Sequence, residues 1–131
     1  MTRPPYPASE FEVRAAACFW DEEGECDVLV ATEREDGSGR RLEVQLAAEF
    51  DDHDEAHGMN TYCLVDERGA THYGDVARWF DDSGVLVIEL DDPAAHALEL
   101  SAFRLDTTAH AEARETILRA LSRLIGPASM A

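Results

Sequence analysis

The sequence predicts an α+β domain: a mostly antiparallel sheet of about six to seven strands with a C-terminal helix packed on one face. Three observations predict it. Between Phe11 and Leu90, apolar and polar residues alternate along several short segments, the period of a strand with one buried face. Turn signals rich in Gly, Asp and Ser separate those segments. Near the C-terminus the spacing switches to that of an amphipathic helix.

Residues 1–9 read as a flexible lead because Pro4, Pro5 and Pro7 prevent a regular helix there. Residues 10–126 then form one α+β domain and residues 127–131 a tail. In the first strand Phe11, Val13, Ala15, Ala17 and Phe19 share a face, opposite Glu12 and Arg14. A charged turn around Gly24 leads to a second strand, residues 27–34, where Val28, Leu29 and Val30 favour extended backbone. Asp36-Gly37-Ser38-Gly39 is a hairpin signal. It joins that strand to a third at residues 41–47, where Leu42, Val44 and Leu46 alternate with Arg41, Glu43 and Gln45.

Residues 49–60 break the alternation. Asp51, Asp52, Asp54 and Glu55 with His53 and His57 suit a short acidic helical turn ended by Gly58. Residues 61–65 return to strand, and residues 71–80 form another, irregular at Gly74. Residues 85–90 are the most apolar strand and the expected centre of the sheet. Pro93 starts a short helical turn through Leu98, and residues 103–105 are a last short strand. Thr107 or Thr108 is placed to cap the final helix. There Ala113, Ile117, Leu121 and Leu124 form the apolar stripe, and Gly126-Pro127 ends it.

Composition narrows function. The chain has 131 residues, 28 Asp and Glu against 11 basic residues, all of them Arg, and a net charge of −17. Such a surface repels nucleic acid and anionic membranes. It attracts basic proteins and speeds their encounter. Cys18, Cys26 and Cys63 are an odd number without a tight motif, which favours reduced thiols and a cytoplasmic location. The N-terminus lacks the apolar core of a secretion signal, and no apolar run has the length of a membrane span.

No catalytic group stands out. His53 and His57, four apart, would share a helical face, but two ligands do not complete a tetrahedral metal site. A solvated acidic turn is the plainer account, and no metal or cofactor is expected. The adjacent carboxylates Asp51-Asp52, Asp81-Asp82 and Asp91-Asp92 read as turn and capping residues, since they do not face each other across a cleft. Cys63 and Ser101 lack a nucleophile signature; Cys63, beside Tyr62, Leu64 and Val65, reads as a small packed hydrophobe. Trp20, Trp79 and Phe80 lie near turns, and Tyr62 and Tyr73 flank the acidic segment. Interfaces use such residues as anchors, although most aromatics complete a core.

The middle of the chain resembles the tenth family of immunity proteins of bacterial polymorphic toxin systems. The residues that carry the likeness are Leu42-Glu43-Val44-Gln45, Phe50-Asp51-Asp52-His53-Asp54, Gly58-Met59-Asn60-Thr61-Tyr62-Cys63, Tyr73-Gly74 and Val85-Leu86-Val87-Ile88-Glu89-Leu90. The family-motif residues are thus Gln45, Asp54, Gly58, Tyr62, Tyr73 and Gly74. Leu46 stands where the family often has Arg, Asn60 where Asp is common, and Asp75 where a second Gly is common. The resemblance implies a non-catalytic α+β domain that binds and neutralises a cognate protein toxin. A basic nuclease fits the acidic surface. The expected contact patch is Asp51, Asp52, Asp54 and Glu55 with Tyr62 and Tyr73. A small-ligand or metal-binding module, a small enzyme, and a subunit of a larger assembly stand as alternatives.

Overall fold

The computed structural model describes residues 6–130. Nine strands and three helices follow in chain order. They are β1 (Ser9–Glu12), β2 (Ala15–Asp21), β3 (Cys26–Thr32), β4 (Arg41–Ala47), α1 (Asp52–Ala56), β5 (Cys63–Asp66), β6 (Thr71–Tyr73), β7 (Val76–Asp82), β8 (Val85–Leu90), α2 (Asp92–Leu98), β9 (Ala102–Asp106) and α3 (Ala111–Leu124). The α+β class holds, but the strands form two sheets where one was expected. Five strands run in the order β2-β3-β4-β5-β6, all antiparallel, and four in the order β1-β9-β8-β7. In the smaller sheet only β1 and β9 pair parallel.

Two of the expected strands are each divided between the sheets. The alternation from Phe11 to Phe19 is continuous, yet the chain changes sheet within it. The Val13 N–H bonds the Asp106 carbonyl in the smaller sheet, and the Arg14 N–H bonds Thr32 in the larger. The second break lies between β6 and β7. Gly74 and Asp75 both take positive φ, 72° and 66°, and turn the chain from one sheet into the other. Asp75 is one of few residue types besides Gly that tolerate that region.

Both sheets and two helices contribute to one apolar core. Leu29, Leu42, Val44 and Leu64 enter from the larger sheet, Phe11, Leu86, Ile88 and Phe103 from the smaller. Ala113, Ile117, Ala120, Leu121 and Leu124 of α3 complete it over β2, β3 and β4. Burying each large side chain contributes roughly 1.5–3 kcal/mol. The expected threonine cap of α3 is not formed. The helix starts after His110 without a side-chain cap, because the Thr107 hydroxyl donates to the Gly84 carbonyl at 2.7 Å. Thr108 bonds back to Asp106.

Of the expected lead, residues 1–5, with Pro4 and Pro5, lie outside the described residues. The rest is tied down: the Pro7 carbonyl accepts the Ser101 N–H at 2.9 Å, and Ser9 already pairs with Phe103. At the other end the Ser129 N–H bonds the Trp79 carbonyl. Among the described residues no helix is long and apolar enough to cross a membrane.

The β7–β8 turn links to α3 through Asp81, whose carboxylate accepts the Gly84 N–H at 2.9 Å and the Arg114 guanidinium. First the Gly84 N–H and then Arg114 hold its carboxyl below the usual range. A group lowered in this way stabilises the fold above its unfolded pKa of about 4 and loses that contribution as pH falls through the folded value. Asp81→Ala is therefore expected to lower the melting temperature near neutral pH, with the gap to the parent closing below about pH 4. Thermal melts across that range test it; a gap independent of pH would refute it.

Candidate functional site

The site begins where β4 runs out into the acidic segment. Asp51, in extended backbone, accepts the Asp54 N–H on its carboxylate at 2.8 Å, and Asp54 accepts the Asp51 N–H at 3.1 Å. This reciprocal pair satisfies amides that a helix start leaves open. The Asp54 N–H is also the main reason the Asp51 carboxyl lies below its usual range. At the far end the Met59 N–H closes on the Asp54 carbonyl at 2.8 Å, with Gly58 at φ 68°. So α1 is held by its own caps and buries no side chain, leaving Asp52 and Glu55 exposed.

Strand register builds the rest. Phe19, Val28, Gln45, Cys63 and Tyr73 are successive cross-strand partners through all five strands. Partners in a ladder share a face, and this one is turned away from the core, because the neighbouring row of Leu29, Val44 and Leu64 is the buried one. Val28 and Cys63 are buried within the row, while Phe19 and Tyr73 at its ends are 49% and 38% exposed. Beside it Glu43 holds both the Gln45 amide and the Arg41 guanidinium.

The acidic segment and this row enclose a cleft of about 200 Å³, where Gln45, Asp54, Cys63 and Tyr73 meet Phe50 and Met59. Burial, then the Glu43 charge, pushes the Cys63 thiol up. Burial likewise raises Tyr73, reinforced by Cys63 and Asp54. Both groups stay protonated at neutral pH, so the cleft holds no thiolate. It offers apolar walls, hydrogen-bonding groups and an acidic rim, the features of a surface that binds.

The structure thus brings together three of the expected residues, Gln45, Asp54 and Tyr73, with Asp51 and Gly58 shaping the helix beside them. It separates Tyr62, which lies on the opposite side of the sheet, packs against the core and accepts the Val76 N–H at 2.9 Å. Gly74 serves the turn below Tyr73. Of the other aromatics, Trp79 is buried with its indole N–H on the Gly126 carbonyl. Phe80 is half-buried under the Arg78 guanidinium, 4.5 Å from the ring centre. His57 Nδ1 donates to the His53 carbonyl at 2.8 Å. Among the described residues no group of three or more His, Cys, Asp or Glu is placed to hold a metal ion. Sequence reasoning missed Phe19 and Cys63 as parts of this face; the hairpin register that aligns them is the signal that finds them.

The model of the family Immunity protein 10 matches residues 12–115. The chain belongs to the Immunity protein 10 family. The resemblance carried by residues 42–90 is therefore borne out, and a toxin-neutralising role in general comes with the family. The matched span runs from the end of β1 into α3, so it contains the acidic helix, the five-strand row and the cleft of this immunity protein. Neither the curated proteins nor the solved structures contain a match to this Immunity protein 10 chain.

Proposed function

We propose that the chain neutralises one cognate toxin by direct stoichiometric binding in the cytoplasm, without turning anything over. The surface is the outer face of the five-stranded sheet with α1 beside it. The observation that carries this reading is the convergence of Gln45, Asp54 and Tyr73 on one cleft, with an acidic rim formed by Asp21 and Asp54 and extended by the exposed carboxylates of Asp52 and Glu55 on the helix that carries Asp54. A basic toxin surface complements that rim, and a nuclease has such a surface because its substrate is polyanionic. Asp51 supports the rim by fixing α1.

The test uses the toxin encoded beside this gene. The complex should form at low salt and its on-rate should fall as salt rises. A variant with Asp51, Asp52 and Asp54 changed to Asn and Glu55 changed to Gln is expected to associate about tenfold more slowly. Association at the parent rate would remove this patch from the interface.

A further inference from the structure

Each of the two sheets ends in two edge strands, and an edge left open invites pairing with another chain. Three of the four are protected. β1 has four residues and β6 three. β7 carries Arg78, Asp81 and Asp82, slips register with β8 between Val76 and Arg78, and has its Trp79 carbonyl taken by the Ser129 N–H. Among the described residues β2 has none of these devices. It is seven residues long, lacks proline, and has no charged side chain before Asp21.

A groove runs beside that edge, walled by α3. One part, about 420 Å³, is lined by Ala15, Ala16 and Thr116; the next, about 620 Å³, by Ala17, Cys18 and Thr116 again. Its side chains are small. Its rim carries Arg14, Arg119 and Arg123 against Glu112, a local excess of positive charge in a chain of net charge −17, with Arg14 3.5 Å from Glu12 and Arg123 3.7 Å from Asp27. Arg119 is 79% exposed, and its carboxylate partner Glu115, itself exposed, is 3.6 Å away.

We infer that the open edge of β2 accepts an extended, carboxylate-bearing segment of the toxin as an added strand, seated between β2 and α3. The toxin as occupant rests on the function proposed above; the mode of binding goes beyond it. Alternate backbone groups of an edge strand point outward and supply the main-chain hydrogen bonds. The alanines leave room for incoming side chains, and the arginines pair with carboxylates. A second copy of this chain fits the groove less well. Antiparallel pairing of two β2 strands places both α3 helices on the same face, and each already lies over its own β2. Phe19 belongs both to β2 and to the outer-face row, so a partner on that row reaches the edge without a gap.

Amide hydrogen exchange of the full chain, alone and with the neighbouring toxin, tests this. Amides of β2 are expected to slow by at least about tenfold in the complex, while those of β6 at the far edge change less. Thr116→Trp, which fills the groove, should weaken the complex about tenfold, and Arg119→Glu several-fold. If Thr116→Trp fails to fold, the exposed Arg119→Glu variant and the exchange pattern still decide. A complex that leaves β2 exchanging as in the free chain, or parent-level binding by a folded Thr116→Trp or by Arg119→Glu, overturns the strand-addition site alone. Absence of any complex with the parent chain overturns the toxin reading, and this occupant with it.

Discussion

Replacing Asp66 by Ala is expected to lower stability by about 3 kcal/mol, read as a shift of the urea midpoint at unchanged slope. The side chain is fully buried at the end of β5. Its carboxylate accepts the Arg68 N–H at 2.9 Å, the Ala70 N–H at 3.1 Å, and both Arg68 Nε and Nη2 at 3.0 and 2.7 Å. Arg68 in turn reaches the Leu98 carbonyl at the end of α2. Removal therefore unsatisfies the β5–β6 turn and frees the contact that joins it to α2. Arg68 is 49% exposed and can regain water, so the cost falls at the lower end of the roughly 3–5 kcal/mol seen when one partner of a buried pair is removed. Asp66→Asn keeps an acceptor for the turn amides and should cost about half as much. A loss under about 1 kcal/mol for Asp66→Ala would show that the turn does not depend on this carboxylate. Because β6 hangs on that turn and carries Tyr73, the same variant should also weaken toxin binding.

Local patterns were legible where one periodicity met one partner set. Residues 41–47 and 85–90 alternate or run apolar without interruption, and β4 and β8 occupy those bounds. The misses share a cause. Period two tells which residues share a face only while the strand stays in one sheet. Phe11 and Phe19 lie on one face of the expected single strand, yet the handover at Val13 and Arg14 sends them to different sheets. Phe11 is buried and Phe19 is exposed. The parallel pairing of β1 with β9 spans most of the chain and leaves no local mark. Thr107 is a sound helix cap by local chemistry, but a tertiary contact with Gly84 takes its hydroxyl. At the site, the family pattern located Gln45, Asp54 and Tyr73 without showing that they converge. Tyr62 and Tyr73 both follow the acidic segment, and Tyr62 is the nearer in sequence. Register separates them, since Cys63 rather than Tyr62 pairs with Tyr73.

Phe103→Ala and Phe19→Ala should give opposite results, and the contrast separates scaffold from surface. Phe103 has no exposed area and sits in β9, paired on both sides by β1 and β8. Truncating it leaves a cavity among packed strands and is expected to cost about 3–5 kcal/mol, a large share of the roughly 5–15 kcal/mol available to a domain. Phe19 makes the same aromatic group half-exposed at the end of the outer-face row. Its truncation should change stability by less than about 1 kcal/mol. If the partner seats on the row and continues to the β2 edge, though, Phe19 becomes a buried anchor in the complex. Its loss should then weaken binding by about 2 kcal/mol, near thirtyfold. Denaturant melts of both variants and a titration of Phe19→Ala with the toxin decide the matter. Equal destabilisation by the two would mean that the outer face is part of the scaffold. Parent-level binding by Phe19→Ala would leave the acidic helix to bind without the row beside it.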